Sequence, residues 1–260
     1  MRVRRLISSA VFTAGSLVAF GATTALADTF NLSYLGPGVQ TPAVTSFYET
    51  FDSGFTSTTN FNGSPITGTY SGTYQIENAN QYGGAGGAGQ YIATGTGSSS
   101  VATYTLTLSA GVDYLGMWFS ALDQGNNLYF YNNNTLVFTF SPSDYAQLVG
   151  ACPTGAPEPN FCGNPNGNFN DQDANEQFGY LNFFDTNGTF NKIVFTEDPD
   201  TGNFESDNHA VANIDTTPGG TSLTPTAVPE PSTFVLGLTG LAGLAGTCRQ
   251  RLAARFRKSV

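Results

Sequence analysis

The sequence predicts an all-β fold, a β-sandwich or jelly roll of short antiparallel strands. Three observations lead there. Short runs rich in Val, Ile, Thr, Tyr and Phe recur through residues 28–215, and such residues suit a pleated, half-buried surface. Clusters of turn-forming Gly, Asn, Asp and Pro separate them, in a chain with 31 Gly and 13 Pro. A body of about 200 residues fits one large all-β domain with enough apolar residues for a core.

The strands can be placed in order. Tyr70–Glu77 is one and Gln90–Thr94 a second. Val101–Leu108 alternates, with Tyr104, Leu106 and Leu108 on one face and Thr103, Thr105 and Thr107 on the other. Val112–Ala121 follows and carries the only Trp, Trp118. Asn127–Tyr131 and Thr135–Phe140 flank Asn132-Asn133-Asn134, a hairpin loop whose Asn residues tolerate positive φ. Phe178–Phe184 and Phe190–Thr196 flank Asp185-Thr186-Asn187-Gly188, which reads as a second hairpin. His209–Asp215 is the last strand. Only Ser143–Val149 reads as helical, with Ser143 or Ser141 as N-cap. Residues 216–227 (TTPGGTSLTPTA) are expected to be an extended, unpacked linker.

The ends carry targeting features. Arg2, Arg4 and Arg5 precede an apolar stretch, Leu6 to Phe20, and Ala25-Leu26-Ala27 is an A-x-A site. Residues 1–27 therefore read as a signal peptide, cut by signal peptidase between Ala27 and Asp28. An N-terminal anchor is the alternative; the short apolar stretch and the small-residue site favour cleavage. At the other end, 228–260 opens with Val228-Pro229-Glu230-Pro231-Ser232. An apolar run, Thr233 to Thr247, follows, then Arg249, Arg251, Arg255, Arg257 and Lys258. The run falls just short of the ~20 residues of a usual spanning helix, and the basic tail supplies a positive-inside anchor.

This C-terminal segment resembles the PEP-CTERM sorting signal of bacterial surface proteins. The resemblance implies a transmembrane sorting helix held transiently in the inner membrane, and an exosortase acting at Pro229, Glu230 and Pro231. The stretches Trp118–Tyr131, Tyr180–Phe183 and Phe204–Val211 are similar to patterns in the jelly-roll ectodomains of such proteins. The likeness spans roughly residues 45–215. It implies location at the envelope surface or in the extracellular matrix, and no particular chemistry.

Charge separates the body from its ends. Of 9 Lys+Arg, only Lys192 lies within residues 28–227, against 18 of the 19 Asp+Glu, a formal charge of −17. Nucleic acid needs a cationic footprint and is excluded as a partner; divalent cations and neutral glycans, including exopolysaccharide, match better. Cys152 and Cys162 bracket a Pro/Gly/Asn-rich loop and, in an exported chain, are expected to form a disulfide.

No enzymatic activity is expected. Gly84-Ala85-Gly86-Gly87-Ala88-Gly89 matches G-x-G-x-x-G, but a strand follows where a dinucleotide site needs a helix, so it reads as a loop. His209 is the only histidine and reads as structural. Calcium is the candidate ligand. Asp171-Gln172-Asp173 begins like an EF-hand loop, but Glu176 replaces the required Gly. Asp198 and Asp200 form a second oxygen-rich turn, and analogy with jelly-roll binding modules points to Glu49 and Asp52 with Asp207. The alternative is that all are solvated turn formers. The expected role is structural or adhesive, with carbohydrate binding as the alternative and a glycoside-active enzyme behind it. Tyr82, Tyr91, Tyr129 and Tyr131 are the sugar platforms, unless they belong to the core.

Overall fold

A computed structural model of the chain describes residues 28–52, 54–95, 101–154, 159–199 and 202–223. The signal peptide through Ala27, Asp200, and the sorting motif with its apolar run lie outside them. The strands are β1 (Phe30–Tyr34), β2 (Tyr48–Glu49), β3 (Thr58–Thr59), β4 (Gly68–Gly72), β5 (Gln75–Asn78), β6 (Gln90–Thr94) and β7 (Ala102–Val112). Then come β8 (Tyr114–Leu122), β9 (Asn126–Asn132), β10 (Thr135–Phe140), β11 (Gln177–Asp185), β12 (Phe190–Glu197), β13 (Phe204–Ala212) and β14 (Thr221–Leu223), with one helix, α1 (Pro142–Val149), after β10. They build two antiparallel sheets. One has eight strands, ordered β14-β1-β11-β8-β13-β6-β5, with β2 also on β13; the other has six, ordered β10-β9-β12-β7-β4-β3.

The period-two pattern decides what lies between the sheets. Tyr104, Leu106 and Leu108 of β7, Leu128 and Phe130 of β9, and Ile193 and Phe195 of β12 point into one core. Leu115, Met117 and Phe119 of β8 meet them from the other sheet. Aromatic rings fill much of the space, with Tyr104 stacked on Phe195 at 4.3 Å and Phe119 on Phe204 at 5.2 Å. β8 and β11 are buried along their whole lengths, as is β13 up to Val211. Their outer faces are covered as well, by Leu35 and the loops 79–89 and 160–176.

Four expectations need correction. The run Tyr70–Glu77 is two strands in different sheets. Gly72 has φ +107°, and a Cβ there would stand 2.6 Å from Thr103 O; the left-handed residue ends β4 and turns the chain over to β5. The segment 185–188 does not close a hairpin. Asp185 pairs with Phe30 of β1 while Phe190 pairs with Val112 of β7, so the chain crosses between sheets. Asp185 Oδ1 accepts the N–H groups of Asn187 and Gly188 at 3.3 and 2.9 Å and turns it away. The last long strand starts at Phe204, and His209 sits within it rather than at its start. Finally, residues 216–227 are not wholly unpacked, because Thr221, Ser222 and Leu223 pair with Tyr34, Ser33 and Leu32. Their backbone covers the edge of β1, which would otherwise be an open template.

The β9–β10 hairpin forms where expected, with Asn133 at φ +55° in its turn. α1 is capped by Ser141, whose N–H donates to Asp144 at 2.9 Å, and it buries Tyr145 and Val149. Cys152 and Cys162 are bonded. Phe161, next to the bridge, is buried edge-on against Tyr34 and Tyr145, at 5.3 and 6.0 Å. No helix among the described residues is long and apolar enough to cross a membrane. Cys152→Ser should lower unfolding stability by about 2–3 kcal/mol, because the bridge closes a short loop, with the far-ultraviolet spectrum retained; urea denaturation of the oxidised protein measures it.

Candidate functional site

Polar chemistry concentrates at three places. The first is inside the core. His209 is fully buried. Its Nδ1 meets Tyr70 Oη at 3.1 Å and its Nε2 meets Ser206 Oγ at 2.9 Å. Ser206 Oγ also meets Tyr104 Oη at 3.1 Å. The ring stacks on Phe195 at 5.2 Å. Ser206 and His209 have the contact of a nucleophile and its base, but both are sealed between the sheets, where no substrate arrives. Burial holds the imidazole down to about 3, so it is neutral.

The second place is the outer face of the eight-stranded sheet, under the Gly-rich loop. Asp207 Oδ2 accepts Ala85 N–H at 2.8 Å, and Oδ1 accepts Asn208 N–H at 2.7 Å. Asp52 accepts Gln90 N–H and the Thr50 hydroxyl, both at 3.0 Å. Gln40 Oε1 accepts Gly86 N–H. The N–H groups that a phosphate would need are therefore taken by carboxylates and an amide, as befits a loop rather than a nucleotide site. Burial raises Asp207 to about 8, against the two N–H donors, with Asp52 and Glu49 adding repulsion. Glu49 pairs with His209 across β2 and β13. Glu49 and Asp52 thus lie close enough to Asp207 to act on its charge. Asp52 and Asp207 line a cleft of about 410 Å³ beside Tyr48.

The third place is one end of the same sheet. Glu176 contacts both Asp123 and Asp173. Burial first, then these neighbours, push its carboxyl up to about 9, so it is protonated at neutral pH. Asp173 Oδ2 is buried and no N–H reaches it. Glu205, buried nearby, is raised by burial and by Asp123 and Glu176. Asp123 and Glu176 line a cleft of about 560 Å³ beside α1. Sequence reasoning missed Asp123 and Glu205, and met Glu176 only as a mismatch to a calcium loop. The clue available was Glu176 itself, an acid set close behind two others.

Of the remaining calcium candidates, those among the described residues lie at the surface. Asp171 is exposed and accepts the Asn170 amide at 2.7 Å; Asp198 is exposed at the end of β12. Among the described residues, no group of three or more His, Cys, Asp or Glu is arranged to hold a metal ion. The four tyrosines divide as well. Tyr91 is buried, its hydroxyl within 3.2 Å of Glu77, and Tyr82 is exposed on its loop. Tyr129 and Tyr131 share the outer face of the six-stranded sheet, where the Lys192 ammonium lies 4.4 Å from the Tyr131 ring centre.

No protein-family model matches the chain, and no curated protein matches it.

The raised carboxyls and the lowered histidine give stability opposite slopes. A carboxyl raised on folding contributes stability below its unfolded value that is lost as pH rises through its folded one. The neutral buried His209 contributes above about 6.5 and loses it as pH falls toward 3. Between pH 6.5 and 9 only the carboxyls, Glu176 and Asp207 above all, still change. The melting temperature should therefore fall across that window. Glu176→Gln keeps a donor for Asp123 and Asp173, so it should raise stability at pH 8 and flatten the fall. Calorimetry at half-unit steps checks both; a wild-type profile that rises to pH 9 rejects the assignment.

Proposed function

We propose that the chain is an exported, acidic surface or matrix protein with a structural or adhesive role. An exosortase, acting at Pro229, Glu230 and Pro231, sorts it after signal peptidase has cut at Ala27. The observation that carries this reading is the bonded Cys152–Cys162 pair, which suits an oxidising compartment. The stacked sheets with chain crossings between them suit the jelly-roll ectodomains that the sequence resembles.

A binding role fits better than catalysis. Asp52 and Asp207 share a cleft, but their oxygens are spent on the Gly-rich loop and its flanks. Asp123 and Glu176 touch each other, whereas the two carboxyls of a glycosidase stand about 5 Å or more apart. Ser206 and His209 are sealed in.

Pro229→Ala with Pro231→Ala should leave uncut precursor in the inner membrane, while the wild-type protein reaches the surface without its basic tail. Intact-mass analysis of surface material decides the point. A wild-type mass that still includes Arg249 to Val260 removes the sorting claim.

A further inference from the structure

The two sheets differ in where their carboxylates lie. The eight strands of the larger sheet contain five, of which Asp185, Glu205 and Asp207 are buried and Glu49 and Glu77 half-buried. The six of the smaller contain one, Glu197, which is buried and alternates with Ile193 and Phe195 on the core side. The outer face of the smaller sheet thus carries no carboxylate from its own strands, on a body of −17.

Its registers lay out a regular grid. Thr107, Lys192 and Tyr131 lie abreast on β7, β12 and β9. Thr105, Val194 and Tyr129 form the next row. All six point away from the core, since each alternates with buried neighbours. Rows along a strand repeat about every 7 Å, and strands stand ~4.8 Å apart. Hydroxyl-bearing residues continue the face on the adjoining strands, with Thr69 and Ser71 on β4 and Thr139 on β10.

We infer that this face is the adhesive surface and that its partner is a neutral, extended polysaccharide. This deepens the adhesive reading above and rests on it. An open sheet face with its side chains in rows fits an extended polymer rather than a small molecule, which needs a concave site. Two tyrosines in line on one strand supply rigid, amphipathic contact at low entropic cost. The flanking hydroxyls both donate and accept, as sugar hydroxyls do. An anionic polymer would be repelled by the body as a whole and would find one cation, Lys192. A cationic polymer would prefer the exposed acids of the loops, such as Asp52 and Asp171.

The test is co-sedimentation of the purified protein with microcrystalline cellulose, insoluble β-1,3-glucan and agarose, with alginate beads as the anionic arm. Retention is expected on at least one neutral polymer. Tyr129→Ala with Tyr131→Ala should weaken it at least tenfold. Thr107→Glu, an exposed change that spares the core, should do the same by adding a charge to the grid. Tyr82→Ala, exposed on the opposite side, should change nothing. Circular dichroism checks that each variant folds. The inference fails if no neutral polymer retains the protein or if alginate alone does. It also fails if the grid variants bind like wild type, or if they abolish only self-association measured by light scattering. Surface sorting is read out separately, so either claim can fail without the other.

Discussion

β11, β8 and β13 lie side by side and are buried on both faces, and much of the rest of the molecule answers to that. An antiparallel sheet commonly leaves one face to water. Here Trp118, Phe178 and Tyr180 occupy the outer face and need covering. Loops do the covering, and a buried loop must find partners for its backbone. The sequence meets this with amides and acids. Asn164 reaches the carbonyls of Asn80 and Gln81, and Asn166 that of Gly84. Asp207 and Asp52 take N–H groups on and beside the Gly-rich loop. The glycines follow from the same close packing: a Cβ on Gly84 would stand 2.3 Å from that of Ala79.

Carboxylates are a costly way to cap backbone donors in a chain with one lysine and no arginine in its body. Each buried acid without a cation must share a proton, gather N–H donors, or raise its pKa. All three occur here. Glu176 shares its proton with Asp123 and Asp173, Asp207 gathers two N–H groups, and Glu205 is raised by burial. The polar chain Tyr70–His209–Ser206–Tyr104 solves the matching problem in the core. It ties β4 and β7 of one sheet to β13 of the other with neutral partners, so no charge is stranded between them.

The sequence made strands legible and sheets illegible. β6, β7, β9 and β10 follow from alternation and turn chemistry, because those signals are local. Membership in a sheet is not local. Phe178–Phe184 and Phe190–Thr196 look like hairpin arms, and only their partners on β1, β8, β7 and β9 show that they are not. β1 was overlooked, since Phe30–Tyr34 is short and follows the cleavage point directly. β14 was overlooked because Thr221–Leu223 has a linker's composition and pairs through backbone alone. Among site residues, Glu49, Asp52 and Asp207 could be named by fold analogy, and they do lie near one another. Asp123 and Glu205 were not, because the contacts that join them to Glu176 span 53 and 29 residues of chain. Tyr129 and Tyr131 could be named, but their surroundings needed the register.

The placement of the carboxylates follows from the same division of labour. Asp207 and Asp52 are used where the Gly-rich loop and its flank must be held down over the larger sheet. The smaller sheet buries its inner face alone, so its outer residues have no backbone to satisfy. Thr, Tyr and Val can fill it, chosen by the pleat and not by capping needs. In a body this acidic, two copies approaching through their loops would meet like charge. The outer face of the smaller sheet, whose strands add no carboxylate to it, is the one on which another surface can come to rest without that cost. A flat sheet face normally risks sticking to others of its kind. Here Lys192, over the ring of Tyr131, would bring a second Lys192 into the same interface in a symmetric pairing of two such faces. A single cation thus discourages self-stacking while leaving the face open to a neutral partner.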